Sequence, residues 1–231
     1  MTQPRNLMSA LALAALTAQP LVACELALVL AVDVSGSVDP REYRVQMDGM
    51  AQALRDQTIA SSLVDQQAAV AVVQWTGAGR QTVTIDWTRT LDLDDVDAMA
   101  SQIEQAGRRW RNFSTAIGEA LTFSLAHLER APACDRQVID VSGDGQSNEG
   151  IAPQGIHPAL AARDVTVNGL AIEGNGGDLT AYYEAHVIHG YGAFVATADG
   201  YQDYPRAIRA KLFREVVKQL AALPQSRDHA N

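Results

Sequence analysis

The feature that most limits the fold is residues 26–32, which read LALVLAV and break off at Asp33-Val34-Ser35-Gly36-Ser37. An apolar run without alternation suits a strand covered on both faces, as in a parallel sheet flanked by helices. The sequence that follows supplies such helices. Asp39-Pro40-Arg41-Glu42 puts Asp at an N-cap, Pro at the first helical position and Glu at the third, a capping box for a helix reaching about residue 55. Tyr43, Met47, Met50 and Leu54 form its apolar stripe. Residues 68–75 and 81–87 read as two strands joined by the turn Thr76-Gly77-Ala78-Gly79, an antiparallel hairpin. Helices are expected over 91–105, 114–128, 158–163, 179–187 and 204–220, and strands over 137–141, 165–172 and 193–196. That alternation specifies an α/β fold: a doubly wound, mostly parallel six-stranded sheet with helices on both faces and one antiparallel edge hairpin.

Residues 1–23 differ in kind. Arg5 is the only charge before Glu25, residues 7–18 are rich in Leu and Ala, and Pro20 follows. A dozen apolar residues are too few to span a bilayer and suit the core of a secretory signal. The expected organisation is a signal peptide over 1–23, one domain over 24–223 and a polar tail over 224–231, in a protein exported to the periplasm or secreted. No other stretch is apolar enough to span a membrane, so no transmembrane segment is expected in the mature chain. Lys plus Arg number 18 against 27 Asp plus Glu, and a net charge of −9 argues against nucleic acid and anionic membrane surfaces as partners. The densest basic run is only Arg108, Arg109 and Arg111. The two cysteines, Cys24 and Cys134, leave three states open. Pairing is the usual state of two cysteines in an exported chain. Leu-Val-Ala-Cys at 21–24 also fits lipid attachment to Cys24, although no polar tether separates it from the first strand. Free thiols are the third.

In a doubly wound sheet, ligands bind beyond the carboxyl ends of the strands at the switch in strand order. The first strand ends with Asp33, Ser35 and Ser37, whose i, i+2, i+4 spacing would point three oxygens to one side of an extended chain. The fourth ends in Asp144, and Asn112-Phe113-Ser114-Thr115 opens a helix. Carboxylates and hydroxyls without nitrogen or sulfur describe a site for a hard divalent cation, with Mg²⁺ expected first and Mn²⁺ or Ca²⁺ as alternatives.

Asp-Val-Ser-Gly-Ser resembles the D-x-S-x-S motif of von Willebrand factor type A domains, and Thr115 and Asp144 match the Thr and Asp that complete their metal-ion-dependent adhesion site. Thr-Ala-Ile-Gly-Glu-Ala-Leu resembles the family's T-x-x-x-x-A-L, and Gly-Asp-Gly its T-D-G. Phe113-Ser114 departs from the two glycines that many relatives carry before the Thr. Within that superfamily the chain looks most like an uncharacterised branch of secreted bacterial proteins. The resemblance implies a Rossmann-type sheet over about residues 26–220. It also implies direct ligation by Ser35, Ser37 and Thr115, with Asp33 and Asp144 acting largely through water. Strands one and four would be parallel neighbours, placing Cys24 and Cys134 together at the bottom of the sheet as a disulfide.

The remaining candidates are weaker. Ser35 and Ser142 lack the setting of a nucleophile elbow, and no phosphate-binding loop of the Walker type is present. His127, His157, His186, His189 and His229 form no metalloprotease helix, and His186 and His189 lack an acidic or Cys companion. Trp75 and Trp87 read as core, while Trp110 and Phe113 flank the site. Gly174-Asn175-Gly176-Gly177 is a loop over the same edge. The expected function is a non-enzymatic binding module whose cation accepts an Asp or Glu carboxylate from a partner protein. The alternatives are a metal-dependent hydrolase, with Glu149 or Glu173 as a loose general base, and a scaffold with a vestigial site.

Overall fold

The computed structural model describes residues 24–174 and 178–217. The expected signal peptide and polar tail and most of the 174–177 loop lie outside the described residues. Six strands, β1 (Cys24–Asp33), β2 (Ala69–Trp75), β3 (Gln81–Arg89), β4 (Cys134–Gly143), β5 (Val165–Ile172) and β6 (Val195–Ala198), form one sheet in the order β3-β2-β1-β4-β5-β6. Every neighbouring pair is parallel except β2 and β3, the expected hairpin. Strand order therefore reverses on either side of β1, and the ends of β1 and β4 lie side by side, with Val32 opposite Ser142.

The helices are α1 (Pro40–Leu54), α2 (Gln57–Asp65), α3 (Leu93–Gln105), α4 (Ile117–Leu128), α5 (His157–Ala161), α6 (Leu179–His186) and α7 (Tyr204–Val216). Successive strand residues face opposite ways, which is why residues 26–32 show no alternation. Leu26, Leu28, Leu30 and Val32 pack with α1, α2, α3 and α7, while Ala27, Val29 and Ala31 pack with α4, α5 and α6. The capping box of α1 forms as its sequence specifies: Asp39 Oδ1 accepts the N–H groups of Arg41 and Glu42, and Glu42 accepts that of Asp39.

Several boundaries differ from the sequence expectation. Helix α2 was not expected; Asp56 caps it by accepting the N–H groups of Thr58 and Ile59. Helix α3 starts at Leu93 because Asp92 is its cap. Helix α4 starts at Ile117, three residues late, because Thr115 is held by Asn148 outside the helix. Helix α5 is only five residues, and β6 lies two residues later than expected.

At the bottom of the sheet, Cys24 and Cys134 face each other across β1 and β4 and are joined as a disulfide, with Cα atoms 4.4 Å apart. Under the sheet, Lys211 of α7 is 1% exposed, and its Nζ contacts Asp140 at 2.5 Å and Glu215 at 2.9 Å. Asn168 Nδ2 donates to the same Glu215 oxygen at 2.7 Å.

Candidate metal centre

The site sits where the sheet's topology predicts. Asp33 is the last residue of β1 and is fully buried. Its Oδ1 accepts the Ser35 N–H at 2.7 Å, which closes a tight turn. The expected extended spacing is thus corrected: the hydroxyls meet because the chain folds back, not because it runs straight. Ser35 Oγ and Ser37 Oγ lie 3.1 Å apart, and Ser37 Oγ donates to Asp144 Oδ1 at 2.6 Å. Thr115 is buried, with its N–H donating to Asn148 Oδ1 and its carbonyl accepting the Asn148 N–H. Its Oγ1 faces the loop that carries Asp144, 3.5 Å from where a Cβ on Gly145 would stand. Ser114 is exposed and presents its carbonyl to the Thr76 hydroxyl. Of the two hydroxyl residues before α4, it is Thr115 that turns to the Asp144 loop.

Three residues with no signal in the sequence position this group. Gln46 Nε2 donates to the Asp33 carbonyl at 3.2 Å, and Arg108 Nη2 donates to the carbonyls of Val34 and Ser35 at 3.0 and 2.7 Å. Tyr183 is fully buried, and a Cβ on Gly143 would lie 2.8 Å from its hydroxyl and 2.9 Å from Asp33 Oδ2.

The group sets two carboxylates close together in a poorly solvated place. Asp33 Oδ2 is buried and has no hydrogen-bond partner. Burial, and then the nearby Asp144 carboxylate, push the Asp33 carboxyl up to about 8. Two carboxylates crowded in a poorly solvated place repel, and a dication between them reverses that balance. The donor set is oxygen throughout, and among the described residues no three His, Cys, Asp or Glu side chains converge to hold a metal ion, so a cation here would rest on two carboxylates and the hydroxyls beside them. These residues fit a hard divalent cation.

The other candidates separate. His189 stacks against His157 with ring centroids 4.9 Å apart, and His186 meets Tyr182 at 4.9 Å, so the two histidines face different neighbours. Trp75 is core, as expected, but Trp87 is only half-buried and stacks on His127 at 5.1 Å. Trp110 packs against the core, while Phe113 is 38% exposed beneath Arg80, whose guanidinium lies 4.0 Å from the ring centroid. Glu149 accepts the Ala78 N–H at 2.9 Å, and Glu173 accepts the N–H groups of Leu179 and Thr180 at the start of α6.

A family described as "Protein of unknown function (DUF1194)" matches residues 23–220. The chain belongs to that family. No curated protein matches this DUF1194 chain. Among solved structures, proximal thread matrix protein 1 from the mussel byssus is similar over 82% of the chain and 48% of its own length, at 18% identity and a TM-score of 0.64. A von Willebrand factor type A structure from Catenulispora acidiphila covers 83% of the chain and 43% of its own, at 19% identity and a TM-score of 0.59. The pilus adhesin SpaC from Lactobacillus rhamnosus GG covers 84% and 30%, at 12% identity and a TM-score of 0.62. One structure of the mussel protein has a zinc-occupied MIDAS motif, the metal-ion-dependent adhesion site of that fold. This DUF1194 chain spans less than half the length of each of these structures. They establish that its fold is that of a von Willebrand factor type A domain.

Proposed function

We propose that this protein is an exported, non-enzymatic binding module whose divalent cation accepts an Asp or Glu carboxylate from a partner protein. The observation that carries the reading is the buried Asp33 carboxylate, its Oδ2 without a hydrogen-bond partner, set against Asp144, with the Ser35 and Ser37 hydroxyls between the strand ends. Ser35, Ser37 and Thr115 would ligate the cation, with Asp33 and Asp144 supplying charge largely through water. The cation supplies a Lewis-acidic position for an incoming carboxylate. The protein's part would be to hold the hydroxyls in one turn and set the two carboxylates beside the cation, whose charge would keep both ionised. Mg²⁺ suits this hard set first, and Mn²⁺ or Ca²⁺ next.

A binding role is favoured over hydrolysis by what the two candidate bases do. Glu173 accepts backbone N–H groups on both of its oxygens and Glu149 accepts one on Oε2, so both carboxylates fasten backbone. A pilus adhesin and a thread matrix protein among the structures of the same fold accord with that role. Export accords with the Cys24–Cys134 disulfide, since such bonds persist in oxidising compartments. Among the described residues no helix is long and apolar enough to cross a membrane. We assign residues 1–23 as the signal peptide, 24–223 as the domain and 224–231 as a polar tail.

The test is thermal unfolding of the oxidised mature protein with and without Mg²⁺, Mn²⁺ and Ca²⁺. A cation at about 100 times its Kd adds roughly 2.7 kcal/mol, a rise of roughly 5–10 °C for a chain of this size. The rise should vanish in Asp144→Ala. An equal rise in that variant would remove the site from these residues.

A further inference from the structure

The loop from Ala106 to Thr115 is fastened to β2 and to the metal turn. Gln74 accepts the Arg109 N–H at 2.8 Å and donates to the Gly107 carbonyl at 3.0 Å. The Gly36 N–H donates to the Phe113 carbonyl at 2.7 Å. A Cβ on Gly36 would come within 3.2 Å of that carbonyl oxygen and 3.3 Å of the Asn112 α-carbon, so glycine lets the two loops touch. The loop is therefore a fixed wall of the site rather than a loose cover.

This wall is basic in an acidic protein. Arg109 and Arg111 are exposed, and the Arg80 guanidinium lies 4.0 Å from the ring centroid of Phe113, on the same loop. Arg108, from the same loop, holds the metal turn from within. Among the described residues none of these four arginines forms an ion pair. The cavity that Asp144 lines has the other sign: its volume is about 380 Å³, and Glu42, Glu173 and Asp199 line it together with Tyr201.

Unpaired cations beside a divalent cation raise its local repulsion and are relieved only when anions arrive. One carboxylate on the metal leaves the arginines unanswered. Arginine's planar fork pairs with carboxylates in two-point contacts, and a charge gradient across a site selects the orientation of what binds there. We propose that the partner's contact segment is an acidic polypeptide stretch. One of its carboxylates meets the metal, a further Asp or Glu lies toward Arg109 and Arg111, and acid is excluded on the side of Glu42, Glu173 and Asp199. The proposal rests on the metal reading above and adds the partner's charge pattern.

The probe is a fluorescein-labelled hexaglutamate peptide, followed by anisotropy at low ionic strength with Mg²⁺ or with EDTA. In Mg²⁺ the Arg109→Gln/Arg111→Gln protein should bind it roughly three- to tenfold more weakly than wild type, the scale of two exposed charge pairs. Its Mg²⁺-induced thermal shift should be at least as large as that of wild type, which separates this loss from damage to the metal turn. Asp199→Asn should bind as well as wild type or better. Wild-type affinity in the double arginine variant would overturn the proposal. So would heparin hexasaccharide displacing the peptide with equal strength in Mg²⁺ and EDTA, which would make the wall a polysaccharide face. If the arginine variant loses binding but wild type is indifferent to Mg²⁺, the metal reading fails while the acidic-segment assignment stands.

Discussion

Replacing Lys211 by Met removes the lysine that pairs with both Asp140 and Glu215 in a buried group. Lys211 is 1% exposed, the two acids are each 2% exposed, and the lysine contacts them at 2.5 and 2.9 Å. Methionine fills most of the volume, so the loss is electrostatic rather than a cavity. Breaking a buried pair by deleting one partner typically costs about 3–5 kcal/mol. In a domain of this length that is a fall in Tm of about 6–20 °C. The pH dependence identifies the cause. Burial, and then Glu215, raise the Asp140 carboxyl well above the ordinary range, while Lys211 pulls it back. A group whose folded pKa is raised gives stability that is complete below its unfolded value near 4 and is lost as pH rises through the folded value. Lys211→Met moves that folded value higher still. The deficit against wild type should therefore be largest near neutral pH and shrink toward pH 5, where the acids accept protons. Chemical denaturation of both proteins at several pH values measures it. A deficit that stays constant between pH 5 and 7.5 would refute the electrostatic account, and a neutral or stabilising effect at pH 7 would refute the burial of the pair.

Three further outcomes follow from the same structure. The Cys24–Cys134 bond spans 110 residues of sequence, so Cys24→Ala/Cys134→Ala should lose about 4–5 kcal/mol on the chain-entropy scale. Equal denaturation midpoints for that variant and the oxidised wild type would contradict it. Gly143→Ala brings a methyl to 2.8 Å from the Tyr183 hydroxyl and 2.9 Å from Asp33 Oδ2; it should destabilise the fold by about 1–3 kcal/mol, and Tyr183→Phe in the same chain should restore part of the loss in a melting experiment. His127 has its pKa lowered, chiefly by burial, against the pull of Asp86. Its folded pKa lies below the unfolded one, so its contribution is complete above about 6.5 and lost as pH falls below that. His127→Leu should flatten the stability profile between pH 6.5 and 5.

What could be read from sequence was whatever local pattern decides alone. The unbroken residues 26–32 announce a strand covered on both faces, and the Asp39–Glu42 box fixes the start of α1. Helix α2 escaped because Gln57, Thr58, Ser61 and Ser62 dilute its apolar face to Ile59, Ala60 and Leu63. The early start expected for α4 assumed that Thr115 belongs to the helix, whereas the fold spends that residue on the site edge, where Asn148 holds it. The spacing of Asp33, Ser35 and Ser37 pointed to the right residues by the wrong geometry, since the Asx turn on Asp33 is a contact that an extended chain would not make. Lys211 and Glu215 look on α7 like an ordinary surface i, i+4 pair. Their burial depends on Asp140 and Asn168 arriving from β4 and β5, which no local signal encodes. The same is true of Arg108, Gln46 and Tyr183 around the candidate site.

The central claim is that Ser35, Ser37, Thr115, Asp33 and Asp144 hold one divalent cation, and counting that ion tests it most directly. Equilibrium dialysis of the oxidised mature protein against Mn²⁺ should find one tightly held ion per chain, displaced by excess Mg²⁺. It should find none in Asp144→Ala or Thr115→Ala, and one again in Ser114→Ala. No bound ion in wild type, or one ion bound equally well without Asp144, would contradict the account.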